Sequence, residues 1–239
     1  LVDGSIVELF VTPGGTFISI GILVCVLGIV FSGWAGKSRD DAHARSGKSE
    51  TRFELKKGLI VAVVAGILSA CMAYGLAAGK PIAKTYLDIA QANGILSETG
   101  DRLTLFQNNV VLVVVLWGGF ASNFAYVLWQ FIKKGSWRDF VQKPSSSTRP
   151  RNFALAAAGG VIWFCQFFLY GMGSVNLGER YDFTSWILHM SFVIIFSSLW
   201  GWFLGEWRGS PGRTYRLFFT GLTALVISTI LVGIGNGMG

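Results

Sequence analysis

Charge is scarce in this sequence. Lys and Arg number 20 and Asp and Glu 13 among 239 residues, so that 14% are charged, where a soluble domain carries about a quarter. That shortfall, with 52% hydrophobic residues, excludes a disordered chain, a charged coiled coil and an ordinary cytosolic enzyme. Cysteine occurs three times, as Cys25, Cys71 and Cys165, each inside an apolar run. An odd number of thiols so placed argues for packing residues and against a disulfide framework or a metal site. No Walker A loop, CxxC pair, HExxH or GxSxG occurs, so the sequence offers no enzyme or cofactor motif and no site for ATP hydrolysis of its own. The first 15 residues carry only Asp3 and Glu8 as charges. Without a basic n-region, a signal peptide is not expected. The sequence begins at Leu1, which reads as part of something longer.

What the chain does have is long apolar runs. Six are long enough to cross a bilayer, which takes about 20 residues: Thr16–Trp34, Gly58–Gly79, Asn108–Ile132, Phe153–Val175, Trp186–Leu204 and Leu217–Asn236. None contains Asp, Glu, Lys or Arg. Barrel strands would be about ten residues long and would alternate; these runs do neither. The expected class is all-α, a polytopic membrane bundle of six transmembrane helices.

Basic residues sort by side. The connections after spans one, three and five hold Lys37 to Lys57, Lys133 to Arg151, and Arg208, Arg213 and Arg216. Only Lys80, Lys84, Arg102 and Arg180 lie on the other side. The positive-inside rule then makes the odd-numbered connections cytoplasmic and both ends external. The net charge of +7 is thereby a matter of topology, and a nucleic-acid partner is not expected. Ser46–Glu54 and Ser145–Arg151 read as polar connectors. Pro81–Gln107 is the longest outer connection, with a short interfacial helix over Tyr86–Ala92.

Polar groups at membrane depth usually face a bundle interior or a watery cavity. In span four, Trp163, Gln166, Tyr170 and Ser174 recur at three- and four-residue spacing and so share a face. Aromatic rings beside an amide, a phenol and a hydroxyl suit a sugar, whose C–H surface packs on rings while its hydroxyls bond the polar groups. The plainer reading is that Gln166 and Tyr170 hold helices together. Span five carries Asp182, Ser185, Trp186, His189, Phe192 and Phe196. His189 is the one side chain within a span that titrates near neutrality, which suits a proton carrier; a packing histidine is the competing account. Asp182 opens the span, where the helix N-terminus favours a carboxylate, as a proton site or as a simple first-turn acid. Span three adds Asn123 and Gln130 on one face, near Gly118 and Gly119, with Asn108 and Asn109 at its outer end. Span two adds Ser69 and Tyr74. Gly159, Gly160, Gly233 and Gly237 are expected at close helix contacts.

Several of these segments together resemble the L-rhamnose–proton symporter family. They are Gln166-Phe-Phe-Leu-Tyr-Gly171 with Tyr181-Asp-Phe-Thr-Ser-Trp-Ile-Leu-His-Met-Ser-Phe192, Gly66-Ile-Leu-Ser-Ala70 leading to Gly79-Lys-Pro81, Gly118-Gly-Phe-Ala-Ser-Asn123, Glu206-Trp207 and Val232-Gly-Ile-Gly235. The resemblance runs in order along nearly the whole chain. It implies the drug/metabolite transporter superfamily, built of ten helices as two inverted five-helix repeats. Residues 1–52 would then hold the last helix of the first repeat plus a cytoplasmic linker, and residues 53–239 the second repeat. Four N-terminal helices of the same chain would be missing partners. The resemblance also implies proton-coupled uptake of L-rhamnose or a related sugar through the bacterial inner membrane. Substrate would meet Asn123, Trp163, Gln166, Tyr170, Trp186 and His189, and His189 or Asp182 would carry the proton. The partners are thus a small sugar, protons and the lipid bilayer, with no cofactor. A facilitator or exporter of another small polar metabolite, or a non-transporting scaffold, would share the bundle without the coupling.

Overall fold

The computed structural model describes residues 9–45, 55–95, 100–135, 148–177 and 183–238. Its α-helices are α1 (Pro13–Arg45), α2 (Leu55–Ala78), α3 (Lys80–Ala92), α4 (Gln107–Lys134), α5 (Thr148–Val175), α6 (Phe183–Phe203) and α7 (Gly212–Gly237), and a 3-10 turn over Gly100–Phe106 leads into α4. Among the described residues, six segments are long and apolar enough to cross a membrane. They correspond to the six expected spans, because uncharged runs of this length satisfy their backbone groups internally only as helix.

The boundaries moved in three places. α1 continues past Trp34 to Arg45, taking up much of what the composition suggested was a connector. The interfacial helix starts at Lys80 instead of Tyr86: Pro81 sits in its first turn, with Gly79 as N-cap, where the missing proline N–H costs nothing. Finally, α5 begins at Thr148, inside the expected connector Ser145–Arg151; the connector 46–54 lies outside the described residues.

The chain forms two compact units, one of residues 1–69 with 177–239 and one of residues 70–176. The first is organised by α1 and α7. Buried positions of α1 include Gly14, Gly21, Gly28 and Ala35, and those of α7 include Thr214, Gly221, Ser228 and Gly235. Each set repeats every seven residues, which keeps one seam of small side chains along a helix. The two helices run antiparallel: a Cβ on Gly235 would meet the Gly14 carbonyl at 2.6 Å, and one on Gly221 would meet the Gly28 carbonyl at 3.0 Å. Backbones this close exclude side chains, and the resulting contact drives helix association in lipid, where burial of apolar surface does not. Ile18, Leu225 and Val232, all fully buried, fill the spaces between these layers. α6 packs on the pair through Ser191 and Ile195, with Cys25 Sγ 3.3 Å from Ser191 Oγ.

The second unit packs α3, α4, α5 and the 3-10 turn. Gly79 is held against Val111 so tightly that a Cβ there would overlap the valine side chain. Gly135 closes α4 in the left-handed conformation, at φ 61°, after Lys133 and Lys134 have matched the negative helix end. Cys25, Cys71 and Cys165 are all free thiols; Cys25 is buried, whereas Cys71 and Cys165 are exposed.

Candidate functional site

In the second unit, the N-terminal end of α4 and the C-terminal end of α5 are stitched by polar groups. Asn108 Nδ2 donates to Ser174 Oγ at 2.8 Å, and that hydroxyl donates to the Gly171 carbonyl at 3.0 Å. Ser174, expected on the polar stripe of span four, is therefore buried as a helix-to-helix link. Next to it, Asn109 lies against Gly171, where a Cβ would overlap its Oδ1. Both polar atoms of the Asn109 side chain are shielded from solvent with no hydrogen-bond partner among the described residues. Such a group is costly to bury and usually signals a missing donor or acceptor.

Further along α5, Trp163 is exposed while Gln166 and Tyr170 are half-buried. Phe167 is buried between them, and its ring meets Trp163 edge-on with centroids 4.8 Å apart. Gln166 and Tyr170 both have partners within the protein. On α4, Asn123 is exposed. Gln130, one face with it, donates to the Tyr126 hydroxyl at 2.7 Å on its own helix.

In the first unit, α6 separates two kinds of polar residue. Thr184, Ser185 and Ser191 are buried, and Ser185 stands one turn before His189 on the same face. Thr184 and Asn236 form a reciprocal pair, with Asn236 Nδ2 to Thr184 Oγ1 at 2.8 Å and Thr184 Oγ1 to Asn236 Oδ1 at 3.1 Å. His189 is two residues from Ser191, about 200° around the helix, and so lies on the opposite face. It shares that face with Trp186, its ring centroid 5.4 Å away, and with Phe192 and Phe196, which stack 6.1 Å apart and are exposed. His189 and Trp186 are half-buried and have partners within the protein. Asp182 lies outside the described residues.

At the other end of the same unit, Trp207 is buried against Phe218, ring centroids 4.4 Å apart. Arg39 lies over its ring at 5.0 Å and bridges Asp40 at 3.1 Å and Glu206 at 3.6 Å. Tyr215 donates its hydroxyl to the Trp207 carbonyl at 2.7 Å. This cluster was missed from the sequence because Arg39 looked like one more topological cation. The Glu206-Trp207 pair was visible there, but not its partner 167 positions earlier.

Six long apolar helices among the described residues define a multi-pass membrane protein. Comparison with known proteins places it in a family. The pattern of the L-rhamnose-proton symport protein family matches residues 1–238, and the chain belongs to that family. It is 32% identical over 239 residues to the L-rhamnose-proton symporter of Pectobacterium atrosepticum, covering 98% of this chain and 64% of that protein. It is 30% identical, with the same coverage, to the L-rhamnose-proton symporters of Yersinia pestis and Yersinia pseudotuberculosis. The chain thus spans 64% of the length of these relatives, short of two thirds. No solved structure matches it.

Proposed function

We propose that this chain belongs to a proton-coupled sugar carrier of the bacterial inner membrane, taking up L-rhamnose or a closely related deoxyhexose. The carrying observation is on α6: Thr184 and Ser191 are buried where Asn236 and Cys25 meet them, and the opposite face carries His189 and Trp186, half-buried, beside the exposed rings of Phe192 and Phe196. Trp163, Gln166 and Tyr170 on α5 and Asn123 on α4 supply the second set of sugar-binding groups, rings for the deoxy and C–H faces and amides or phenol for the hydroxyls. His189 accepts the coupled proton, with Asp182, which precedes α6 in the sequence, as the second titratable group. Loading of both favours the transition that exposes the site to the cytoplasm, and release there resets the carrier.

The connections rich in Lys and Arg face the cytoplasm, and both ends of the chain face outward. Residues 53–239 form one five-helix repeat, and α1 closes the repeat before it. The α1–α7 pair supports this reading. Two equivalent last helices related by an axis in the membrane plane would meet antiparallel, with the same spacing of small residues on each.

His189 is tested by replacing it with Gln in the protein reconstituted into vesicles. Sugar-driven proton uptake should be abolished while exchange of internal for external sugar continues. Unchanged proton uptake would remove His189 from coupling. Accumulation that is insensitive to an uncoupler in the unmodified protein would point to a facilitator.

A further inference from the structure

Beside the ends of α1 and α7 that carry their basic residues lies a cavity of about 530 Å³, lined among others by Trp34, Lys37, Asp41, Arg45, Arg213 and Leu217. We propose that it binds the phosphate headgroup of an acidic phospholipid from the cytoplasmic leaflet, a site distinct from the sugar pathway.

Three cations and one carboxylate leave this cavity net positive. Lys37, Arg45 and Arg213 make no ion pair or side-chain hydrogen bond with any described residue, unlike Arg39 on the same helix, which is held by Asp40 and Glu206. The start of α7 contributes independently. Its N-cap is Pro211, which lines the cavity and gives no side-chain cap to the first turn. Uncapped amides and the positive end of a 26-residue helix favour an anion there. The lower wall decides between a lipid and a free phosphate. Trp34 is 56% exposed and stands with Leu217 where the uncharged parts of α1 and α7 begin. An indole at that level marks the headgroup boundary, and the apolar wall leads on to Val30 and Leu27, both exposed, which an acyl chain would cover. Basic pockets between helices on the cytoplasmic side recognise acidic lipids in this way.

The test is native mass spectrometry of the purified protein in micelles doped with phosphatidylglycerol or phosphatidylcholine. Phosphatidylglycerol should be retained preferentially. The combined variant K37Q/R45Q/R213Q should lower that retention about tenfold or more, while K37R/R45K/R213K and K133Q/K134Q should not. Equal retention by the neutralised variant overturns the proposal. So does displacement by millimolar inorganic phosphate with no preference between the two lipids, which would mark a site for free anions. If the neutralised variant does not fold, the unmodified protein still decides. Its unfolding temperature should be higher in phosphatidylglycerol than in phosphatidylcholine bilayers, by a margin that salt reduces. A margin of zero, or one that salt leaves unchanged, refutes a headgroup site.

Discussion

Ser228 of α7 donates a hydrogen bond across the helix pair to the backbone carbonyl of Gly21 on α1, at 2.8 Å. Only a glycine on α1 permits that approach: a Cβ at Gly21 would sit 2.7 Å from the Val232 side chain and 3.2 Å from its backbone nitrogen. The bond and the glycine are therefore one device, a hydroxyl delivered to a main chain that has been bared for it.

Gly221→Ala should separate the two helices. The added methyl would meet Ser32 N at 2.8 Å and the Gly28 carbonyl at 3.0 Å, and this backbone of α1 cannot yield as a side chain can. The expected cost is about 1–3 kcal/mol, read as a lowered midpoint of unfolding in detergent. Gly33→Ala, with nothing within 4 Å of its added atom, should leave that midpoint unchanged or raise it slightly.

Thr184→Val keeps the shape of a fully buried side chain and removes both halves of its exchange with Asn236. The amide keeps a bond to the Val232 carbonyl at 3.1 Å, so the loss should be moderate, about 1 kcal/mol. Restoring the hydroxyl with Thr184→Ser should recover part of it. Equal stability of the Val and Thr proteins would show that the pair contributes nothing.

Arg39 should matter more than the acid it bridges. The Glu206 side chain is 56% exposed, so Glu206→Gln is expected to change stability by less than about 1 kcal/mol. Arg39→Ala removes the cation over Trp207 as well as the stem that packs beside it, and should cost more, on the order of 1–2 kcal/mol. A double-mutant cycle on the unfolding midpoint separates the two contributions.

Trp163→Ala should weaken sugar binding without changing the number of protons moved per sugar. A ring face against a sugar is worth about 1 kcal/mol, or roughly a fivefold rise in KM. Trp163→Phe should recover most of it. An unaltered KM in the alanine protein would take Trp163 out of the binding face.

The helices were legible because lipid solvation leaves few options: an uncharged run of sufficient length becomes helix, and the Lys and Arg between runs mark the connections. Which glycines would touch another helix was not legible in the same way. Gly159, Gly160, Gly233 and Gly237, expected at close contacts, have open space around the place of a Cβ, whereas Gly21, Gly28, Gly221 and Gly235 are tightly packed. Adjacent or near-adjacent glycines catch the eye, but contact along a helix pair recurs every seven residues, and that period had to be sought separately on α1 and α7. The polar stripes came out mixed for a related reason. Helical spacing puts Ser174 on the face of Trp163 and Ser185 on that of His189, but a face is broad, and its edge belongs to the neighbouring helix. Asn108 claimed Ser174, and Ser185 is buried as well.

α1 runs unbroken for 33 residues, about 50 Å, and the hydrocarbon core is only about 30 Å deep. Its final three turns, from Trp34 to Arg45, therefore continue past the uncharged run as rigid helix. A tilt of about ten degrees about Trp34 would sweep Arg45 through about 3 Å, enough to make or break an ion pair. Any lean of α1 would thus be largest at Arg45, resisted nearer its base by Ser38, whose hydroxyl lies 2.6 Å from that of Thr214, and only weakly by the exposed link from Arg39 to Glu206.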